Sequence, residues 1–156
     1  EAVVRQAIDD VMTDLEQHQL DPYQRLKAVI CADLYMNDIM HPWYYFCFIE
    51  AKGLDKTQRE AATQMELKFE DIFREGIKAG VFRFDGNPAL LAAGTTAMLQ
   101  QWYLKRWKFQ HLKVGIADYA GFVFGHVLNS LNYQPEQAAR SVPETADDQI
   151  SQRSRA

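Results

Sequence analysis

Three positions in this chain carry the local signals that start an α-helix. Asp21-Pro22 and Asn87-Pro88 each place a capping side chain directly before a proline. Asp55, with Gln58 three residues later, forms a capping box. Since the apolar residues after each signal recur every three or four positions, the sequence predicts an all-α fold of about six helices.

The predicted helices end where proline or glycine stops them. The run Trp43–Ile49 fits a buried strand equally well on periodicity alone, but the Gly53 stop and the lack of a second strand favour a helix. The last two helices are apolar nearly all round, which predicts burial on two sides. The predicted helices are Glu1–His18, Pro22 to His41, one from Pro42 through Ile49, Asp55 to Ala79, Pro88 to Phe109, and Val114 to Leu131.

Length and charge limit the classes of function. A chain of 156 residues fits one domain, which we place at residues 1–132, followed by a polar tail at 133–156. The net charge of -4 argues against a nucleic-acid grip in this segment. We find no membrane span, no signal peptide and no cysteine framework, so a cytoplasmic protein without a membrane partner is expected.

The sequence offers no catalytic residue and no metal site. No phosphate loop, nucleophile elbow or paired metal-ligand motif occurs. The nearest approach to a ferritin-like motif, Asp38 to His41, occurs once and is followed directly by a proline. We therefore predict no enzyme activity, no metal and no cofactor.

Aromatic and methionine residues are concentrated in the middle of the chain. They are either ordinary core or the wall of a small-molecule pocket, because such side chains suit both. In the second interpretation Tyr35 and His41 supply polar groups. The candidate ligand-binding residues are Tyr35, His41, Trp43, Tyr44, Phe48, Met65, Phe69, Met98 and Trp102.

The stretch Phe69–Arg83 has a distinctive form. Gly76 lies near the end of a long predicted helix. After three further residues come Gly80, an apolar residue, Phe82 and Arg83. With the following Asn87-Pro88 and the apolar helix after it, this resembles the regulatory domains of TetR-type transcriptional regulators. The resemblance covers roughly residues 3–131.

The resemblance implies a homodimeric ligand-binding domain of a transcriptional repressor. The helices Pro88–Phe109 and Val114–Leu131 would form a four-helix bundle with their symmetry mates, and a small hydrophobic or aromatic effector would bind between the helices that start near Pro22, Asp55 and Pro88. Operator DNA would be bound only through an N-terminal helix-turn-helix that this chain lacks, since Glu1 would begin within the helix after it. The implied interface residues are Tyr119, Phe122, Val123 and His126.

Two other functions stay open at this point. One is a helical protein–protein interaction module with a solid interior and no small-molecule ligand. The other is a helical enzyme, which is the weakest because no acid/base pair supports it. The few charges among the expected pocket walls favour a neutral or lipid-like effector.

Overall fold

The structure is a computed structural model that describes residues 20–42 and 56–141, together with positions 10 and 13, with side chains from residue 63 to 138 in the second range. The described residues form six helices and no β-strand, which confirms the predicted all-α fold class. Most of the predicted helix Glu1–His18 and all of the run Trp43–Ile49 lie outside the described residues. The helices are α1 (Pro22–Ile39), α2 (Lys56–Lys78), α3 (Pro88–Leu104), α4 (Arg106–His111), α5 (Ile116–Ser130) and α6 (Pro135–Ser141).

Helix α1 begins with the capping box that the sequence predicts. The backbone N–H of Gln24 donates to the Asp21 carboxylate at 2.8 Å, and the backbone N–H of Asp21 donates to the Gln24 side chain at 3.4 Å. These bonds satisfy donors that the first helical turn leaves without partners. The apolar face of α1 is fully buried in the core through Leu26, Val29, Ile30 and Leu34.

The Gly76–Arg83 segment is a compact helix stop. Gly80 adopts a left-handed conformation with φ of 74°, which ends α2. The backbone N–H groups of Val81 and Phe82 then donate to the Gly76 carbonyl at 2.9 and 3.1 Å. The chain folds back on α2, and the Phe82 ring is buried against Gly76.

The predicted single helix from Pro88 to Phe109 is interrupted at Lys105, so the prediction is wrong in this detail. Helix α3 ends at Leu104, and Lys105 has a φ of -119° before α4 begins. The turn lets the Phe109 ring stack on Trp102 and approach Tyr119, with ring centroids 5.4 and 4.6 Å apart. Stacking between aromatic rings therefore favours the break over one straight helix.

The folded part continues past residue 132, where the sequence analysis placed the start of a polar tail. The N–H of Gln134 donates to the Val81 carbonyl at 2.8 Å, and the N–H of Arg83 donates to the Leu131 carbonyl at 2.7 Å. Ala138 of α6 is 5% exposed and belongs to the core. Residues after position 141 lie outside the described ranges.

Helices α1 and α3 run in the same direction. The beginning of α1 lies beside the end of α2, where Arg25 forms an ion pair with Glu75. A short connection joins the end of α2 to the start of α3. At the other end, Asp38 of α1 meets Trp102 of α3 at 3.0 Å. Helix α1 therefore lies along α3, and it also packs against α2 and α5.

Candidate functional site

A pair of polar side chains lies on the inward face of α1. Asp33 and Asn37 follow Leu26 and Ile30 at intervals of seven residues, so they share the buried side of the helix. Asn37 is 3% exposed, and its side-chain amide donates to the Asp33 carboxylate at 2.9 Å. Polar groups in such a place require partners, because desolvation without compensation is costly.

The environment of Asp33 favours its neutral form. Burial raises the pKa of the Asp33 carboxyl to about 7, and the hydrogen bond from Asn37, which favours the charged form, offsets only part of this rise. The side chain nevertheless keeps some accessible surface.

Two threonines face the interior from α3. Thr95 is fully buried, and its hydroxyl donates to the Leu91 carbonyl at 2.8 Å. Thr96 is 7% exposed, and its buried hydroxyl has no hydrogen-bond partner. An unpartnered buried hydroxyl is rare, so Thr96 calls for an explanation beyond ordinary core packing.

The hydrogen bond from Trp102 to Asp38 joins the ends of α1 and α3, and Asp33 and Thr96 lie earlier on these two helices. The sequence pattern did not single out Asp33, Asn37 or Thr96 as candidate residues. Asp33 and Asn37 could have been found, because each follows a buried apolar position of the same helix by seven residues.

A second group of polar side chains lies where the end of α1 meets the end of α3. The indole N–H of Trp102 donates to the Asp38 carboxylate, and Arg106 reaches the same carboxylate at 2.8 Å. The Arg106 guanidinium also donates to the Asp38 backbone carbonyl at 3.4 Å. Since Asp38 and Arg106 are about one-third exposed, the ion pair mainly fixes geometry and adds little stability.

The predicted pocket residues fall into several groups. Phe69 and Trp102 are buried in the core, and Met65 and Met98 pack against it. His41 is partly buried. Tyr35 is 46% exposed on the side of α1 opposite Asp33 and Asn37, so its predicted role as an interior polar group is corrected. The remaining predicted wall residues lie outside the described ranges: Trp43, Tyr44 and Phe48.

The predicted interface residues divide into two pairs. Tyr119 and Val123 are buried within the chain's own core, and the Tyr119 hydroxyl donates to the Met98 carbonyl at 2.6 Å. Their assignment to a dimer interface is therefore corrected, because a side chain already buried has little surface to offer a partner. Phe122 is 62% exposed, and its ring lies 6.2 Å from that of the exposed His126.

A surface groove lies at the other end of the bundle. Its volume is about 790 Å³, and it is wide open to solvent. Arg83 and Asp85 both line it, so the groove includes residues of opposite charge. Its lining residues are Ile77, Gly80, Phe82, Arg83, Phe84, Asp85, Asn132, Gln134 and Gln137.

The described residues hold no group of three or more His, Cys, Asp or Glu side chains that could bind a metal ion. Each helix within the described ranges is too short or too polar to span a bilayer. Comparisons with family models, curated proteins and solved structures find no match to this chain.

Proposed function

We propose that this chain is the regulatory domain of a TetR-like transcriptional repressor. In this proposal it is a cytoplasmic homodimer that binds a small effector between its helices. A helix-turn-helix outside this sequence would bind operator DNA and release it when the effector binds. The resemblance of the Gly76–Arg83 motif supports the proposal, and the tight stop at Gly80 gives that motif a physical basis.

The observation that carries the proposal is an uncovered apolar face on α3 and α5. We call it the open face, and on α3 it includes Leu90, which is 72% exposed, and Gly94. On α5 it includes Phe122, Gly121 and Gly125. Among the described residues, apart from each glycine's chain neighbours and its own helix backbone, no atom lies within 4 Å of a Cβ placed at any of the three glycines.

Within the described fold, neither a close contact nor a left-handed backbone conformation requires glycine at these three positions. Each costs about 1 kcal/mol of helix stability relative to alanine. Glycine on a helix surface does allow another helix to approach closely, and the exposed Phe122 ring supplies apolar area for such a contact. A symmetric partner, which presents the same face, accounts for both features.

The effector would bind beside α1, among the predicted wall residues Met65, Met98 and Trp102, which lie in or against one core. An effector regulates DNA binding only by its different affinity for two arrangements of the domain, which typically amounts to about 1–3 kcal/mol. Helix α1 contacts three other helices, so a ligand beside it can change their relative positions.

Native mass spectrometry of the purified chain tests both parts of the proposal. We expect a mass near twice 18.0 kDa and a small adduct that is lost on activation. Phe122→Glu should convert the dimer to a monomer by placing a charge in the apolar contact, whereas Asp71→Asn, on the exposed side of α2, should not. A monomer for the unaltered chain would instead favour the interaction module, in which a different protein covers the open face.

A further inference from the structure

Helix α4 and the residues beside it carry a local excess of positive charge. The segment 88–117 contains four Lys and Arg residues and no Asp or Glu, so all 21 acidic residues of the chain lie outside it. A positive segment therefore stands in a chain whose net charge is -4. Three of its four cations are the exposed lysines Lys105, Lys108 and Lys113.

These three lysines have no carboxylate partner among the described residues. The fourth cation, Arg106, is already paired with Asp38 at 2.8 Å. Lys108 and His111 lie in the last turn of α4, where a cation interacts favourably with the helix dipole. That interaction is worth only about 0.3–1 kcal/mol at an exposed surface, and it leaves the charged groups accessible to a partner.

Two large apolar side chains lie among these cations, since Trp107 is 70% exposed and Leu112 is 56% exposed. Trp107 and His111 are four residues apart, as are Lys108 and Leu112, and the Leu112 N–H donates to the Lys108 carbonyl at 2.9 Å. Side chains at this spacing are neighbours on a helix surface, so the four form one continuous patch. The helix dipole explains the cations of this patch but not the exposed indole and leucine.

We call this surface the α4 patch, and it consists of Lys105, Trp107, Lys108, His111, Leu112 and Lys113. From its charge and its exposed apolar area, we propose that the α4 patch binds an acidic segment of a partner protein. Carboxylates of the segment pair with the lysines, and an apolar side chain among them covers Trp107 and Leu112. Tryptophan is frequent among the residues that dominate binding energy in protein interfaces, and polar residues surround such a centre. This inference goes beyond the proposed function and does not depend on an effector.

The size of the α4 patch favours a short peptide over a larger polyanion. Helix α4 has six residues and is about 9 Å long. Proteins that bind duplex DNA commonly contact about 6–10 phosphates, more than three lysines can neutralise. Segments that bind anionic lipid usually supply about 4–8 Lys or Arg residues. An acidic peptide needs only a few carboxylates, and it offers the apolar side chain that the patch also requires.

Three matched peptides test the proposal on the whole chain by fluorescence anisotropy. The first contains Asp and Glu residues with one Phe and one Leu, the second replaces its acids with Asn and Gln, and the third replaces its Phe and Leu with Ala. The first peptide should bind at least tenfold more tightly than either of the others. Added salt should weaken its binding, because the charges at this surface are screened.

Two substitutions assign the binding to the α4 patch. Lys108→Glu should lower the affinity for the first peptide at least tenfold, whereas Lys78→Glu, which makes the same change on the exposed side of α2, should leave it within twofold. Trp107→Ala should also lower the affinity at least tenfold, and Leu67→Ala is its control at an exposed apolar position of α2. All four positions are accessible, and far-ultraviolet circular dichroism checks that each variant is folded.

The peptide comparison on the unaltered chain decides the question even if a variant does not fold. Equal binding of the acidic and neutral peptides overturns the inference, as does an equal loss of affinity in Lys108→Glu and Lys78→Glu. Tighter binding of oligothymidine or of phosphatidylserine vesicles than of the first peptide overturns the assignment to a protein partner.

Discussion

The ring of Phe82 lies against Gly76, six residues earlier, in the space that a Cβ at position 76 would fill. Phe82 is buried, and its backbone N–H donates to the carbonyl of the same glycine. Glycine is therefore required at position 76 by close approach, although its φ is ordinary for a helix. The contact fixes the connector between α2 and α3.

Gly76→Ala should reduce the free energy of unfolding by about 1–3 kcal/mol, because the added methyl group overlaps the Phe82 ring. Urea denaturation measures the loss. In a Phe82→Leu background the same substitution should cost less, since the smaller side chain can move aside. Equal costs in both backgrounds would show that the ring is not the cause.

Gly121→Ala should weaken self-association at least tenfold, because a methyl group on the open face keeps the partner helix at a distance. Sedimentation velocity at several concentrations measures this change. The exposed Asp71→Ala, on α2, serves as the control and should leave association unchanged. If Gly121→Ala instead raises helix stability by about 1 kcal/mol without affecting association, nothing packs closely at that position.

Asp33 should make stability depend on pH. Its pKa is 3.8 in the unfolded chain and about 7 in the folded one, so the folded state holds a proton that the unfolded state releases between these values. The contribution of Asp33 to the free energy of unfolding is therefore greatest below the lower pKa, and it falls as the pH rises from the lower pKa to the higher one. Asp33→Asn does not undergo this loss.

The advantage of Asp33→Asn over the unaltered chain should therefore grow by roughly 2–4 kcal/mol from acid to mildly alkaline pH. Thermal unfolding across this range, with Asp71→Asn as control, measures the difference. An advantage that does not change with pH would place Asp33 in contact with bulk water.

Trp102→Phe should cost about 1 kcal/mol of stability, since it removes the indole donor to Asp38 and keeps an aromatic ring beside Phe109 and Tyr119. Arg106 remains to pair with the carboxylate, so the loss is modest. Trp102→Ala should cost about 3–5 kcal/mol through the cavity it leaves. Chemical denaturation of the two variants distinguishes the hydrogen bond from the stacked rings.

Local signals predict the helices well where the cause of the structure is itself local. The capping box at Asp21 and the glycine stop at Gly80 depend on residues within one helical turn, and both lie where the sequence predicts. The break at Lys105 does not have a local cause. It depends on rings that meet only in the folded chain, so the continuing helical pattern gives no warning of it.

The candidate site is less visible in the sequence. In α5, which is apolar nearly all round, periodicity cannot distinguish the side that faces the chain's own core from the side that faces a partner. Tyr119 and Val123 were for this reason assigned to the wrong side, while Phe122 is exposed. The burial of Asp33 and Asn37 depends on the packing of α1 against three other helices, which is a property of the tertiary structure.

Helix α1 has an ion pair with another helix near each of its ends. Arg25 meets Glu75 at one end, and Asp38 meets Arg106 at the other. The helix is therefore joined to α2 at its first turn and to α4 near its last turn, so its orientation depends on how those two helices lie relative to each other.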